Sequence, residues 1–140
     1  MRWTKGELSV VDDMSLIDVD AVHAFLSQSY WARGRSRMVV QLAMERSLPF
    51  GLLRGDRTIG FARVITDFAV FGTVEDVFVL PEFQGKGLGG WMLECILAHP
   101  ALQGIDLIVA TRKAKGFYEH FGFKPLKDKN QYMLRAGGRP

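Results

Sequence analysis

Glu75-Asp76-Val77-Phe78-Val79-Leu80-Pro81-Glu82-Phe83-Gln84-Gly85-Lys86-Gly87-Leu88-Gly89-Gly90 is the stretch on which the reading of this chain turns. Val77 to Leu80 is a β-branched and aromatic run with the composition of a buried strand. Pro81 ends it, because proline has no N–H to give a ladder and fixes its own φ. Beyond the glycines, Leu88, Trp91, Met92, Cys95 and Ile96 recur at helical spacing, which predicts a helix from Leu88 to about Ala98. The first N–H groups of such a helix have no carbonyl partner of their own, and the helix dipole adds partial positive charge there. Gly85, Gly87 and Gly89 carry no Cβ, so an anion can approach the main chain closely. Strand, glycine loop and helix together predict a seat for a phosphate or pyrophosphate.

Outward from that stretch, 140 residues predict a single domain spanning 1–140 with a real core. A chain 48% apolar and 24% charged has the balance of a soluble globular protein. The net charge of +3 favours an anionic ligand slightly and does not mark a nucleic-acid binder. Cys95 is the only cysteine, which excludes an internal disulfide and a cysteine-rich metal site. His23, His99 and His120 have no metal-ligand spacing, so no metal is expected. Met1 to Glu7 lacks the apolar core of a signal peptide, and no apolar run approaches the roughly 18 residues of a membrane span. The expected address is the cytoplasm, with no membrane partner.

Taken in order, Glu7 to Asp12 reads as a first strand, and Asp18 or Asp20 caps a helix carrying Val19, Val22, Phe25 and Leu26. Tyr30-Trp31-Ala32-Arg33-Gly34-Arg35-Ser36-Arg37 is a loop of alternating arginines beside two aromatics. A second helix bears Val39, Val40, Leu42, Ala43 and Met44 and ends before Pro49. Phe50–Leu53 and Thr58–Ile65 are predicted strands joined by a turn, and the Glu75 strand follows. Leu107 to Ala110, wholly apolar, predicts a central strand. Ala114, Phe117, Tyr118 and Phe121 mark a last helix ended by Gly122, and Gln131–Leu134 would close the sheet. The order β-α-α-β-β-β-α-β-α-β gives an α/β domain whose mixed sheet is flanked by helices, antiparallel early and parallel after the glycine loop.

Gly85-Lys86-Gly87-Leu88-Gly89-Gly90 also spells a dinucleotide fingerprint, with Asp106 about 20 residues on. Its context is wrong for a nicotinamide-dependent oxidoreductase. Four residues separate the strand from the first glycine, and Asp106 precedes its strand instead of ending it. Gln84-Gly85-Lys86-Gly87-Leu88-Gly89 instead resembles the Q/R-x-x-G-x-G/A loop of the GCN5-related N-acetyltransferases, the GNAT family. Ala110-Thr111 and the run from Gly116 to Phe123 resemble that family's later strand and its Y-x-x-x-G-F segment. Gln84 stands where arginine is commoner, and Thr111-Arg112-Lys113 where asparagine is often kept.

The resemblance implies acetyl-CoA as co-substrate and direct transfer to an amine in a ternary complex. It implies pyrophosphate binding by the N–H groups of Gly85, Gly87, Leu88 and Gly89, with Gln84, Lys86 and Gly90 alongside. The backbone of Val77 and Val79 would pair with the pantetheine arm, and an N–H near Phe78 or Val79 would polarise the thioester carbonyl. An amine with a pKa near ~10 arrives protonated, so a base is needed. Glu75 is the first choice, on the same face as Val77 and Val79 in a regular strand, and the Glu75-Asp76 pair resembles one in polyamine-acetylating members. Asp76 faces the other way unless a bulge turns it. A solvated strand end is the plain alternative for both. Tyr118 matches the family's tyrosine that protonates the departing thiolate, where residue pattern alone would make it core.

Tyr30, Trp31, Arg33 and Asp76 are the expected acceptor-binding residues, an arginine there being able to clamp a carboxylate or phosphate; a solvated loop is the competing reading. Asp67, at a strand end, is not counted with them. Cys95, on an apolar helix face, reads as a packed thiol rather than a nucleophile. The function expected is N-acetylation of a small-molecule amine by a monomer or homodimer. Acetylation of a protein N-terminus or lysine, or CoA binding without turnover, are the alternatives.

Overall fold

The computed structural model describes residues 1–128 and 131–138. The backbone forms two compact units, Met1–Ala110 and Thr111–Pro140. The first contains β1 (Arg2–Lys5), β2 (Leu8–Val11), α1 (Val19–Leu26), α2 (Arg37–Glu45), β3 (Leu48–Arg54), β4 (Arg57–Thr66), β5 (Phe71–Val79), α3 (Leu88–Ala98) and β6 (Asp106–Val109). The second contains α4 (Lys115–His120). The strands make one sheet in the order β1-β2-β3-β4-β5-β6. Neighbours are antiparallel from β1 to β5, and β5 pairs with β6 in parallel. The mixed α/β sheet is therefore the one the sequence predicts.

Local chemistry sets the helix ends. The Asp18 carboxylate accepts from the N–H groups of Asp20 and Ala21 at the start of α1, and the Ser36 hydroxyl from Val39 at the start of α2. Both helices turn an apolar stripe to the sheet, so Val22, Leu26, Val40 and Met44 pack with Val11, Leu53, Phe61 and Phe78. α3 meets β3 and β5 from the other side and buries Trp91, Met92, Leu93, Cys95 and Ile96. β4 is buried from Thr58 to Val64, as a strand covered on both faces must be. Phe50 and Phe61 are fully buried, each contributing roughly 2–3 kcal/mol by its removal from water.

Both ends of the chain depart from expectation. A strand, β1, precedes the one expected first and forms a hairpin with it. β6 is not central: it is the last strand of the sheet, and its residues are half-buried or exposed. An apolar run does not by itself tell a central strand from a covered edge. Gln131–Leu134 is no strand, and Met133 and Leu134 are 95% and 92% exposed. In α2, Leu42 lies half in solvent and only Val40 and Met44 are buried, because the apolar residues outnumber the positions facing the core.

Candidate active site

β5 changes character halfway along. Against β4 its register runs Val74 to Val64 and Glu75 to Arg63, then resumes with Phe78 to Phe61. Two residues, Asp76 and Val77, thus oppose the single Ala62, which is a β-bulge. Asp76 takes φ +53, a left-handed conformation rare outside glycine and best tolerated by Asp and Asn. Directly opposed residues share a face, so the face that carries Glu75 with Arg63 carries Phe78 with Phe61. The regular alternation expected from the sequence, with Glu75 beside Val77 and Val79, is broken at that point. The bulge brings Glu75, Asp76 and Phe78 all to the α1–α2 side.

β6 accompanies β5 only from Phe71 to Val74. From Glu75 to Val79 the far edge of β5 has no strand beside it among the described residues, which leaves main-chain groups for an extended ligand. The strand ends in a short 3-10 turn, Pro81–Phe83, and Gln84 braces the exit by donating its amide N–H to the Val79 carbonyl at 2.8 Å. Gly85 and Gly87 follow, both at φ +76 and both exposed. A Cβ at either would meet nothing within 4 Å, so glycine serves backbone conformation here and the space over the loop is open. Gly87 is the N-cap of α3 and no side chain caps that end. The N–H groups of Leu88, Gly89 and Gly90 therefore open onto the loop with the dipole of a three-turn helix behind them. Lys86 adds positive charge, with Nζ 5.7 Å from the Phe83 ring centre. These features fit a diphosphate.

The loop between α1 and α2 is fastened to the bulge. Asp76 Oδ1 accepts from Trp31 Nε1 at 2.9 Å and Arg35 Nη1 at 3.0 Å. Its Oδ2 accepts from the same Arg35 nitrogen at 2.9 Å and from Arg63 Nε at 2.7 Å. Arg63 Nη1 donates on to Ser47 Oγ, and that hydroxyl donates to the Ala43 carbonyl in α2. The Asp76 side chain is 2% exposed, and its lone pairs are filled. The expectation that Asp76 contacts the acceptor meets a carboxylate already committed to three side chains. Of the loop arginines, Arg35 is the one folded inward; Arg37 pairs with Asp20, and Arg33 is exposed. Tyr30 and Trp31 are 54% and 39% exposed, edge to face, with Trp31 tilted against Phe25 and Phe25 stacked on Phe78.

Glu75 is half-buried and accepts from the Thr73 hydroxyl at 3.0 Å. In the second unit, Tyr118 lies on α4, buried, with Phe117 and Phe123 edge-on to its ring. Burial pushes the Cys95 thiol up to about 11, so at neutral pH it is protonated and no nucleophile. Asp67 is a turn cap: its Oδ1 accepts from the N–H groups of Ala69, Val70 and Phe71. Those amides, Val70 first, hold its carboxyl below the ordinary 3.8. Among the described residues no group of side chains could hold a metal, and no helix is long and apolar enough to cross a membrane.

The family model described as the Acetyltransferase (GNAT) domain matches residues 45–125, more than half the chain and the whole run from β3 through α4. The chain belongs to the GNAT family. A protein of Gibberella zeae named "Putative acetyltransferase" is 32% identical over 91% of this chain and 85% of its own length. A solved structure from Xanthomonas campestris pv. campestris, described as a putative acetyltransferase of the same family, is 40% identical with a TM-score of 0.89 over 92% of each chain. A Clostridium acetobutylicum protein solved with acetyl-CoA shares the GNAT fold at 14% identity, with a TM-score of 0.66 over 92% of this chain and 96% of its own.

Within this GNAT chain, Arg63 and Ser47 are the site residues that sequence reasoning missed. Arg63 had a signal, being a charged residue inside Ile59-Gly60-Phe61-Ala62-Arg63-Val64-Ile65, a run otherwise without charge. A charge in a fully covered strand requires a buried partner. Ser47 had none.

Proposed function

We propose that this protein is an acetyl-CoA-dependent N-acetyltransferase that passes the acetyl group directly to a small-molecule amine bound beside the coenzyme. The observation that carries the reading is the pairing of an uncapped α3, entered through two left-handed glycines, with a β5 whose second half has no strand on its far edge among the described residues. Acetyl-CoA supplies a thioester activated toward amines. The Gly85–Gly90 main chain would hold its diphosphate, and Val77 and Val79 would present strand hydrogen bonds to its arm. An N–H of β5 near Phe78 or Val79 would stabilise negative charge on the carbonyl oxygen.

The remaining work is proton movement. Glu75, half-buried and placed on the α1–α2 side by its register opposite Arg63, would take the ammonium proton directly or through water. Tyr118 would return a proton to the departing sulfur. Cys95, protonated and packed, is no candidate for an acyl-enzyme, which supports direct transfer.

Thermal shift is the first test: CoA should raise the melting temperature and NAD should not. Free-thiol release from acetyl-CoA across a panel of amines then separates an enzyme from a CoA-binding module. A chain that CoA does not stabilise would overturn the proposal. Glu75→Gln should move the pH–rate profile to higher pH, since only amine already deprotonated in solution could then react; an unaltered profile removes Glu75 as the base.

A further inference from the structure

The Asp76 cluster contains two guanidinium groups on one carboxylate, so the Asp76 charge is fully spent and the guanidinium groups have donor capacity beyond it. Its three members are not equally covered. Asp76 is 2% exposed, Arg63 10% and Arg35 28%, so Arg35 is the member that faces outward. Arg35 spends only Nη1 on Asp76. Its Nε and Nη2 have no partner among the described residues, and these form an edge suited to bidentate binding of an oxyanion.

That edge is held in place at both ends. The Arg35 N–H donates to the Ala32 carbonyl at 3.2 Å, and the Arg35 carbonyl lies 3.1 Å from His23 Nε2. The head is pinned on the same Asp76 oxygen that receives the Trp31 indole N–H. A guanidinium fixed in this way loses little further freedom when an anion docks. Beside it, the exposed faces of Trp31 and Tyr30 offer an apolar surface to the body of a small molecule.

We infer that the acceptor is an amine that also carries a carboxylate or a phosphate, and that Arg35 holds this anion while Trp31 and Tyr30 carry the rest of the molecule. This rests on the N-acetyltransferase reading of the site and narrows it. It also runs against a polyamine acceptor. The Glu75-Asp76 pair looks suited to a polycation in the sequence, but Asp76 is already bound by two guanidinium groups, which leaves Glu75 alone of the pair to meet a cation and sets Arg35 against a second ammonium.

Matched amines test the inference. Each α-amino acid of a short panel is compared with the amine left by removing its carboxylate, phosphoethanolamine with ethanolamine, and spermidine is run beside them. kcat/KM for thiol release should favour the anionic member of at least one pair by about tenfold or more. Preference in the amino-acid pairs assigns the anion as a carboxylate, and preference in the phosphoethanolamine pair as a phosphate. Arg35→Gln should bring that ratio toward one, and Arg35→Lys should keep part of it. CoA-induced stabilisation of both variants confirms that each is folded. Equal or better turnover of the uncharged partners or of spermidine by the wild-type protein overturns the inference and leaves the acetyltransferase reading standing. Failure to acetylate any amine overturns both.

Discussion

The glycine loop ahead of α3 and the loop between α1 and α2 flank the same strand, yet they are built from opposite materials. In the first, Gly85 and Gly87 are exposed and left-handed, no side chain caps the helix, and the donors offered are main-chain N–H groups with Lys86 beside them. In the second, side chains do the fastening, with Trp31, Arg35, Arg63 and Ser47 gathered around Asp76. One region is left open and would gain its last hydrogen bonds from a ligand. The other is closed upon itself, and Arg35, its most exposed charged member, keeps an outer edge unspent among the described residues. A ligand common to a whole family can be met by backbone geometry. A ligand particular to one protein must be met by side chains, and those have to be held still by other side chains.

The comparison breaks most visibly at Asp76. Asp76→Ala strands Arg63 as a buried cation without a counter-charge and frees the loop above it. The expected cost is about 3–5 kcal/mol of stability, read as a drop in melting temperature of roughly 10 °C or more. A loss under about 1 kcal/mol would mean that the cluster is not the fastening it is taken for. Gly87→Val attacks the open region instead. A β-branched residue at φ +76 is strained, and its bulk stands over the helix start. CoA affinity should fall by about a hundredfold in calorimetry, about 2.7 kcal/mol, a larger loss than any α1–α2 loop substitution brings to the coenzyme. If Arg35→Gln weakened CoA as much, the division between the two regions would collapse.

The two regions were also unequally legible. The glycine loop is local: its residues lie within six positions of one another, and the chemistry of a missing Cβ is printed in the sequence. The start of α3 at Leu88 and its end at Ala98 therefore agree with the periodicity. The Asp76 cluster is not local. Trp31 and Arg35 reach across 45 and 41 residues, and nothing near either of them in sequence announces the contact. The bulge was foreseeable only as a condition. Whether Asp76 turns inward depends on an extra residue opposite Ala62, which is a property of the β4–β5 pairing rather than of either strand alone. The misjudged β6 and the expected strand at Gln131–Leu134 fail for a related reason, since what lies beside an apolar run is settled by the sheet.

Tyr118 belongs to neither region, and its substitution asks whether a third element takes part. Phe117 and Phe123 pack edge-on against its ring, so Tyr118→Phe keeps the packing and removes only the hydroxyl. Turnover should fall about tenfold while CoA affinity stays near wild type. A rate near wild type would remove Tyr118 as the acid and leave water to protonate the sulfur.

The smallest effect is expected at Asp67, whose carboxylate closes the β4–β5 turn in the way Asp76 closes the acceptor loop, but in full solvent. Three backbone N–H groups converge on its Oδ1, and their donation favours the ionised form, so its carboxyl titrates below 3.8. A carboxylate whose folded value is depressed contributes to stability above its unfolded value, and the contribution is lost as pH falls through the folded one. Protection of the Ala69, Val70 and Phe71 amides, taken relative to their intrinsic exchange rates, should therefore persist through the ordinary carboxylate range and be lost only as pH falls through the depressed value. In Asp67→Ala that protection should be missing at every pH, with kcat/KM for the best amine changed by less than about twofold. The turn stands apart from both loops, so a large loss of turnover in this variant would mean that the acceptor reaches the β4–β5 turn and that the site extends along β5 beyond the bulge.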